Sequence, residues 1–304
     1  MGRLVEELGD TPLPHIPDFT IPGVSAAAGE ALMKEGIAMD PKGGKTGIQS
    51  RHFVCTSCHN LEREDPDLAV SNPQARLDYV SEKGLPFLQG TTLWGAVNRT
   101  SFYNDDYFKK YGDLVDKARN DIREAIQLCA VECAQGRKLD PWELESMLAY
   151  LWTLELKVSD LNLSVSEKKQ VENGAPENAI SLLKRKYLSG SPAHFLTPPE
   201  NRQTGYPLKR MANPDNGAKI YTSSCLHCHE NQRYSYFNLD YSKNSFEFLK
   251  KHLPKYTRYS TYQVVRYGTS PIPGKRAYMP HYPEEKLSNA QMEDLRAYYD
   301  QQTQ

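Results

Sequence analysis

The chain has 304 residues with 37 Lys and Arg against 38 Asp and Glu, a net charge of −1, so it lacks the cationic excess of a nucleic-acid-binding protein. Mean hydropathy is −0.66, and no apolar run reaches the ~18 residues that mark a membrane-spanning helix. The length leaves room for two modest domains, and the abundance of Tyr (19) and Pro (20) fits small helical domains wrapped in ordered loops.

The N-terminus opens polar, without the pattern of a signal peptide. Pro12, Pro14, Pro17 and Pro22 make the segment to about Gly23 read as an extended arm. From Val24 to Gly36, Ala28, Leu32 and Met33 recur at helical spacing and predict a helix. In the loop that follows, Gly43-Gly44-Lys45-Thr46 resembles a phosphate loop only in part, because the first glycine of that pattern is missing. Cys55-Thr56-Ser57-Cys58-His59 is a C-x-x-C-H run, the attachment signature of a c-type haem. Two thiols a short turn apart can each bond one vinyl group of a porphyrin. The histidine that follows is then placed under the iron as proximal ligand.

After His59 the chain reads as charged and irregular as far as Gly90. The stretch from Leu93 to Arg99, followed by Tyr103, Tyr107 and Tyr111, mixes apolar and polar groups in the way of a haem-edge wall. A long helix is predicted from Asp113 to Gln135, stopping at Gly136, with Leu114, Ala118, Ile122, Ile126, Cys129 and Cys133 on one face. A further helix opens at Asp140-Pro141-Trp142-Glu143. There Asp140 can cap, Pro141 fits the first turn and Glu143 completes a capping box. Its apolar stripe is Leu144, Met147, Leu148, Leu151 and Leu154. Opposite His59, Cys129 is the favoured distal ligand, since a thiolate binds ferric iron strongly and lowers its potential. Cys133 and Met147 are the alternatives, and His15 and His52 are weaker ones. The structural reading of the cysteine pair is two buried thiols, or a disulfide one helical turn apart.

Residues 158–208 read as an interdomain linker, polar and rich in turn formers. It holds one helical stretch, Pro176 to Leu188, with Ile180, Leu183 and Tyr187, and a solvated basic run at Lys184-Arg185-Lys186. Asn216 to Tyr221 then forms a short helix leading into a second haem motif, Cys225-Leu226-His227-Cys228-His229. Further on, Ala277-Tyr278-Met279-Pro280 precedes a terminal helix, Met292 to Asp300, that Ser288 and Gln291 can cap as a box. Leu295, Tyr298 and Tyr299 face its core. Met-Pro on a loop before a capped terminal helix resembles the distal-ligand loop of class I cytochromes c, which makes Met279 the ligand opposite His229. Met211 and Met292 are weaker candidates.

The fold class expected is therefore mainly α, with two cytochrome c-like domains, residues 1–157 and 209–304. Two covalently bound haem c groups are expected, with His59, Cys129, His229 and Met279 as iron ligands. The competing reading is a zinc ribbon built from Cys55, Cys58, Cys225 and Cys228, against which both trailing histidines count. Haem attachment of this kind places the protein in the periplasm or another extracytoplasmic space, with an export signal already removed.

The run Ile126-Gln127-Leu128-Cys129-Ala130-Val131-Glu132-Cys133-Ala134-Gln135-Gly136-Arg137, with Glu145 to Leu151 after it, resembles the first domain of dihaem thiosulfate dehydrogenases. It is also similar to the SoxA subunit of the sulfur-oxidising system. In those families a cysteine at the Cys129 position is the axial ligand of the catalytic haem, and the resemblance implies that role for Cys129 here. Leu93-Trp94-Gly95-Ala96-Val97 resembles their pre-ligand loop, and Gly136-Arg137 sits where they carry a glycine and a basic residue. Those enzymes usually place an arginine one turn before the ligand cysteine to attract an anionic sulfur substrate. Here Ala125 stands there, and the nearest arginines are Arg119 and Arg123. Electron transfer between redox partners, such as another cytochrome or a membrane electron-transfer complex, is the primary functional expectation. A thiosulfate dehydrogenase-like oxidoreductase acting on a small sulfur oxyanion at the Cys129-ligated haem is the alternative. A dihaem peroxidase comes third, because its characteristic loop after the second motif is not found.

Overall fold

The computed structural model describes residues 1–11, 13–269 and 279–304. Pro12 of the expected arm, and Ala277 and Tyr278 of the Met-Pro loop, lie outside the described residues. Among the described residues the protein is helical and has no β-strand. β-type pairing is confined to two isolated bridges, Met39 with Lys45 and Ser101 with Gly190. In chain order the helices are α1 (Gly2–Glu7), α2 (Ala26–Glu35), α3 (Pro73–Lys83), α4 (Tyr107–Tyr111), α5 (Leu114–Ala118), α6 (Ile122–Leu128) and α7 (Pro141–Thr153). Then follow α8 (Val165–Asn173), α9 (Pro176–Lys184), α10 (Pro214–Ile220), α11 (Leu226–His229), α12 (Lys243–His252), α13 (Thr261–Tyr267) and α14 (Asn289–Gln302).

The chain divides into two compact units. The first comprises Met1–Ser71 and Thr91–Pro192, and the second Asn72–Gly90 and Ala193–Gln304. Residues 158–192, read from the sequence as linker, are thus part of the first unit. The cause is the apolar face of α9: Ala179, Leu182 and Leu183 are buried, and Leu183 packs with Met1, Val5, Leu156 and Leu161. The same cluster corrects the extended arm at its start, where Met1 and Val5 draw residues 2–7 into helix α1.

In the first unit α2 crosses α7. Ser25 caps α2 through its side chain, and Gly36, at φ +74°, ends it. The crossing is made at Gly29, where an added Cβ would lie 1.9 Å from the Ser146 carbonyl oxygen. Leu32 and Met33 from α2 pack against Met147, Leu148 and Leu151 of α7. Each such side chain stabilises the unit by ~1.5–3 kcal/mol on full burial. The Asp140–Glu143 capping box and Pro141 start α7 as expected.

The expected long helix from Asp113 to Gln135 is instead two short helices and a wide turn. Asp121 interrupts it, accepting hydrogen bonds from the Arg123 and Glu124 N–H groups and so starting α6 afresh. From Cys129 to Cys133 the backbone is a π-helical turn, the kind of insertion found at functional sites more often than elsewhere.

The second unit repeats the crossing device. In α10, Gly217 meets α14 so closely that a Cβ would lie 2.1 Å from the Asp294 carbonyl oxygen and 2.6 Å from Tyr298 Cβ. The Asp294 carboxylate, buried at the crossing, accepts from Arg210 at 2.8 and 2.7 Å and from the Asn213 N–H at 2.7 Å. The Ser288–Gln291 capping box opens α14. The stretch between His59 and Gly90, read as irregular, contributes α3 to this unit. Asn72 caps α3, Pro73 sits in its first turn, and Gly84, at φ +66°, ends it. Leu77, Val80 and Phe87 join the core formed by Tyr221, Phe246, Met292, Leu295 and Tyr299.

Candidate functional site

Each unit holds one C-x-x-C-H run at the foot of its crossed helices. In the first unit Cys55 to Ser57 form a single 3-10 turn, and Cys55 packs, half-buried, against the cluster that contains Leu32, Val97 and Met147. Burial pushes the Cys55 thiol up to about 11. The His59 Nδ1–H donates to the Thr91 carbonyl at 2.6 Å. That bond fixes the ring orientation and tautomer, leaving Nε2 as the nitrogen able to bind a metal.

In the second unit α10 runs through a π-helical turn, Tyr221–Cys225, into α11. Burial holds Cys225 up at about 12 and Cys228 at about 11. Here the His229 Nδ1–H donates to the Phe237 carbonyl at 2.8 Å. Burial lowers the His229 pKa below its ordinary value, which keeps the imidazole neutral, the form that binds iron. Tyr282 hydrogen-bonds the Ser224 hydroxyl at 2.5 Å, beside Cys225.

These features fit a covalently attached haem in both places. Cys55 and Cys225 lie against apolar side chains, burial raises the thiols of Cys55, Cys225 and Cys228, and both histidines are oriented through Nδ1. A zinc ribbon needs converging thiolates. Among the described residues no group of three or more His, Cys, Asp or Glu side chains converges on a metal position.

The candidate distal residues differ between the units. In the first, Cys129 lies close enough to Cys55 and Cys58 for their charges to bear on it. Its thiol donates to the Cys133 sulfur, and no disulfide joins the two. Cys133 is also reached by the Tyr111 hydroxyl at 3.3 Å and the Tyr103 hydroxyl at 3.7 Å. The Cys129 hydrogen bond and the two phenols push Cys133 down to about 6, while the same sulfur–sulfur bond pushes Cys129 up. Lys110, whose ammonium is lowered by burial, lies near Cys133. The lysine is the residue that sequence reasoning passed over here, since nothing in its spacing ties it to a cysteine 23 positions later.

The arginines near this site are engaged elsewhere. Arg123 holds Glu145 through two bonds of 2.6 and 2.9 Å and also donates to the Ile16 carbonyl. Arg137 grips Glu143 at 2.7 and 2.5 Å. Of the other ligand candidates, Met147 is packed inside the α2–α7 core at 1% exposure. His15 is buried, donating from Nε2 to the Val97 carbonyl at 2.5 Å. His52 is half-buried beside Phe53.

In the second unit Met279 is half-buried and packs, like Cys225, against the core containing Tyr221 and Leu226. Thr269 grips its backbone twice. The Met279 N–H donates to Thr269 Oγ1 at 2.7 Å, and the Thr269 N–H donates to the Met279 carbonyl at 2.9 Å. Gly268, at φ +70°, makes this approach possible, for a Cβ there would lie 2.3 Å from the Met279 carbonyl oxygen. Met292 is fully buried in the core, and Met211 is 90% exposed.

Residues 212–298 match the family model described as cytochrome C oxidase, cbb3-type, subunit III. The match lies within the second unit and covers less than a third of the chain. No curated protein and no solved structure matches the chain. The C-terminal part is thus a cytochrome c domain, which implies covalently bound haem c, electron transfer through it and redox partners. Such domains usually work outside the cytoplasm. Among the described residues no helix is long and apolar enough to cross a membrane.

Proposed function

We propose that this protein is a dihaem c-type cytochrome that passes electrons between redox partner proteins in an extracytoplasmic space. One haem c would be held by Cys55, Cys58 and His59, the other by Cys225, Cys228 and His229. The observation that carries this reading is the repeated histidine: in both units the C-x-x-C-H imidazole is tied through Nδ1 to a backbone carbonyl, Thr91 in one and Phe237 in the other. When bound, each haem supplies reversible one-electron exchange at iron. The residues do the rest. Cys129 and Met279 would supply the further iron ligands, one as a sulfur of a cysteine and the other as a thioether, and their unlike donor strengths would give a low-potential and a high-potential site. Electrons would then run from the first unit to the second. The partners are another cytochrome or a membrane electron-transfer complex.

A second reading, oxidation of a small sulfur oxyanion at the first site, draws support from Cys129 and from Lys110 as a cation beside the thiol pair. Against it stands the engagement of Arg123 and Arg137 with carboxylates. A spectroscopic redox titration of the haem-loaded chain tests the first reading. Two separate one-electron waves are expected, and a single wave for one haem would refute it. Mixing the oxidised protein with thiosulfate separates the two readings. Fast, saturable reduction that is lost in Cys129→Ala would make it an enzyme, and no reduction would leave it a relay.

A further inference from the structure

The haem motif of the second unit opens onto a row of rings that neither reading uses. The His229 Nδ1–H donates to the Phe237 carbonyl at 2.8 Å, and the Phe237 ring stands edge-on to the imidazole at a centroid distance of 5.8 Å. Phe237 in turn meets Phe248 at 5.0 Å. Phe248 stacks on His252 at 4.1 Å, with the ring planes 28° apart. Four rings thus run side by side from the expected iron ligand to helix α12. The two phenylalanines do not close into a core, for Phe237 is 41% exposed and Phe248 43%.

Helix α12 presents this row by its spacing. Phe246, Leu249 and, just past its end, Leu253 are buried in the core of the unit. Phe248, Lys251 and His252 fall together on another side of the helix, at three- and four-residue steps. The His252 Nδ1–H donates to the Phe248 carbonyl at 2.7 Å and so holds its imidazole against the phenyl ring. The charge around this face is one-sided. From His229 to Ser260 there are six lysines and arginines against three acids, in a chain whose net charge is −1. Lys250 pairs with Asp300 at 2.9 Å, and Lys243 faces Glu247 at 4.0 Å. Lys251, beside Phe248, is exposed and makes no ion pair among the described residues. In the first unit the corresponding carbonyl belongs to Thr91, a half-buried residue with no ring to offer.

We propose that Phe237, Phe248 and Lys251 form the docking face through which the second haem gives its electron to an acidic one-electron carrier protein. The inference rests on a haem bound at His229. A carrier seated there touches the ring that packs on that histidine; ferrous iron loses the one electron that the carrier's oxidised metal centre gains. Aromatic side chains are enriched where protein interfaces are buried, and opposite charge steers the encounter.

The test is stopped-flow electron exchange between the reduced, haem-loaded full chain and oxidised plastocyanin, an acidic copper protein, as probe. For the parent the second-order rate should fall as salt is raised from ~0.01 to ~1 M, over which the screening length shrinks from ~30 to ~3 Å. Lys251→Glu should slow it about tenfold at low salt and match the parent at high salt. Phe248→Ser should slow it about fivefold at both, and Lys169→Glu, on α8 of the first unit, should leave it unmoved. Phe248 and Lys251 are exposed, so both variants should keep the parent's haem bands. A second readout needs no electron transfer: carbodiimide, which joins lysines to carboxylates, should couple plastocyanin to Lys251, located by peptide mass. A rate that rises with salt would overturn the acidic partner. Parental rates in both Lys251→Glu and Phe248→Ser, or coupling only at lysines outside residues 229–260, would overturn the face. The reading underneath fails separately, if intact mass shows no haem on Cys225 and Cys228.

Discussion

Gly29→Ala puts the helix crossing of the first unit to a direct test. The new methyl group would lie 1.9 Å from the Ser146 carbonyl oxygen, 2.5 Å from the Ser146 carbonyl carbon and 2.9 Å from the Met147 nitrogen. All three are backbone atoms of α7, so no side chain can rotate out of the way. An ordinary carbon–oxygen contact lies beyond 3 Å, and α2 and α7 must move apart by roughly an ångström. Overpacking against backbone that cannot rotate away falls in the upper part of the usual range, ~2–3 kcal/mol. It loosens Leu32 and Met33 against Met147, Leu148 and Leu151. Alanine returns ~1 kcal/mol through its better helix propensity. The net loss should be ~1–2 kcal/mol, which in a unit of this size lowers the melting temperature by about 2–8 °C. Thermal unfolding followed at 222 nm and in the haem absorption bands measures it. A Gly29→Ala protein as stable as the parent, or more so, would show that the two helices are not in contact at this glycine.

Other outcomes follow from single contacts. Thr269→Val removes the oxygen that receives the Met279 N–H, and an unsatisfied backbone donor there costs about 1–3 kcal/mol. The weak red absorption band of a methionine-ligated ferric haem should fade in this variant, and an unchanged band would mean that Thr269 does not hold the loop. His15 gives a pH dependence whose sign is set by burial, the largest influence, which lowers its pKa below 6.5. In the window from 6.5 down to the folded value the unfolded chain binds more protons, so stability is full above 6.5 and is lost as pH falls below it. Urea unfolding at several pH values should show this slope in the parent and a flatter one in His15→Gln. Equal slopes would contradict it.

What the sequence disclosed, and what it withheld, follows from the range of each interaction. Capped helices were legible because their signals are local: Asp140 with Pro141 and Glu143, Ser288 with Gln291. The same signals were present for α3 in Asn72, Pro73 and Gly84, but the surrounding charges made the segment look irregular. Asp121 could likewise have been seen as the start of a new helix. The haem motifs were legible as pentapeptides. Their carbonyl partners were not, because Thr91 lies 32 residues from His59 and no residue type marks a carbonyl acceptor. The grip of Thr269 on Met279 and the phenols around Cys133 escaped for the same reason. They depend on chain closure over 10 to 30 residues, and on a positive φ at Tyr103 that sequence does not announce.

The central claim is two covalent haems on one chain, one in each unit. The most direct measurement is the intact mass of the protein, unfolded and stripped of non-covalent ligands, after production with a c-type haem attachment system. The account predicts the polypeptide mass plus two haem groups, falling to one in a Cys55→Ala/Cys58→Ala variant and to one in a Cys225→Ala/Cys228→Ala variant. A parent mass carrying a single haem, or none, would contradict it.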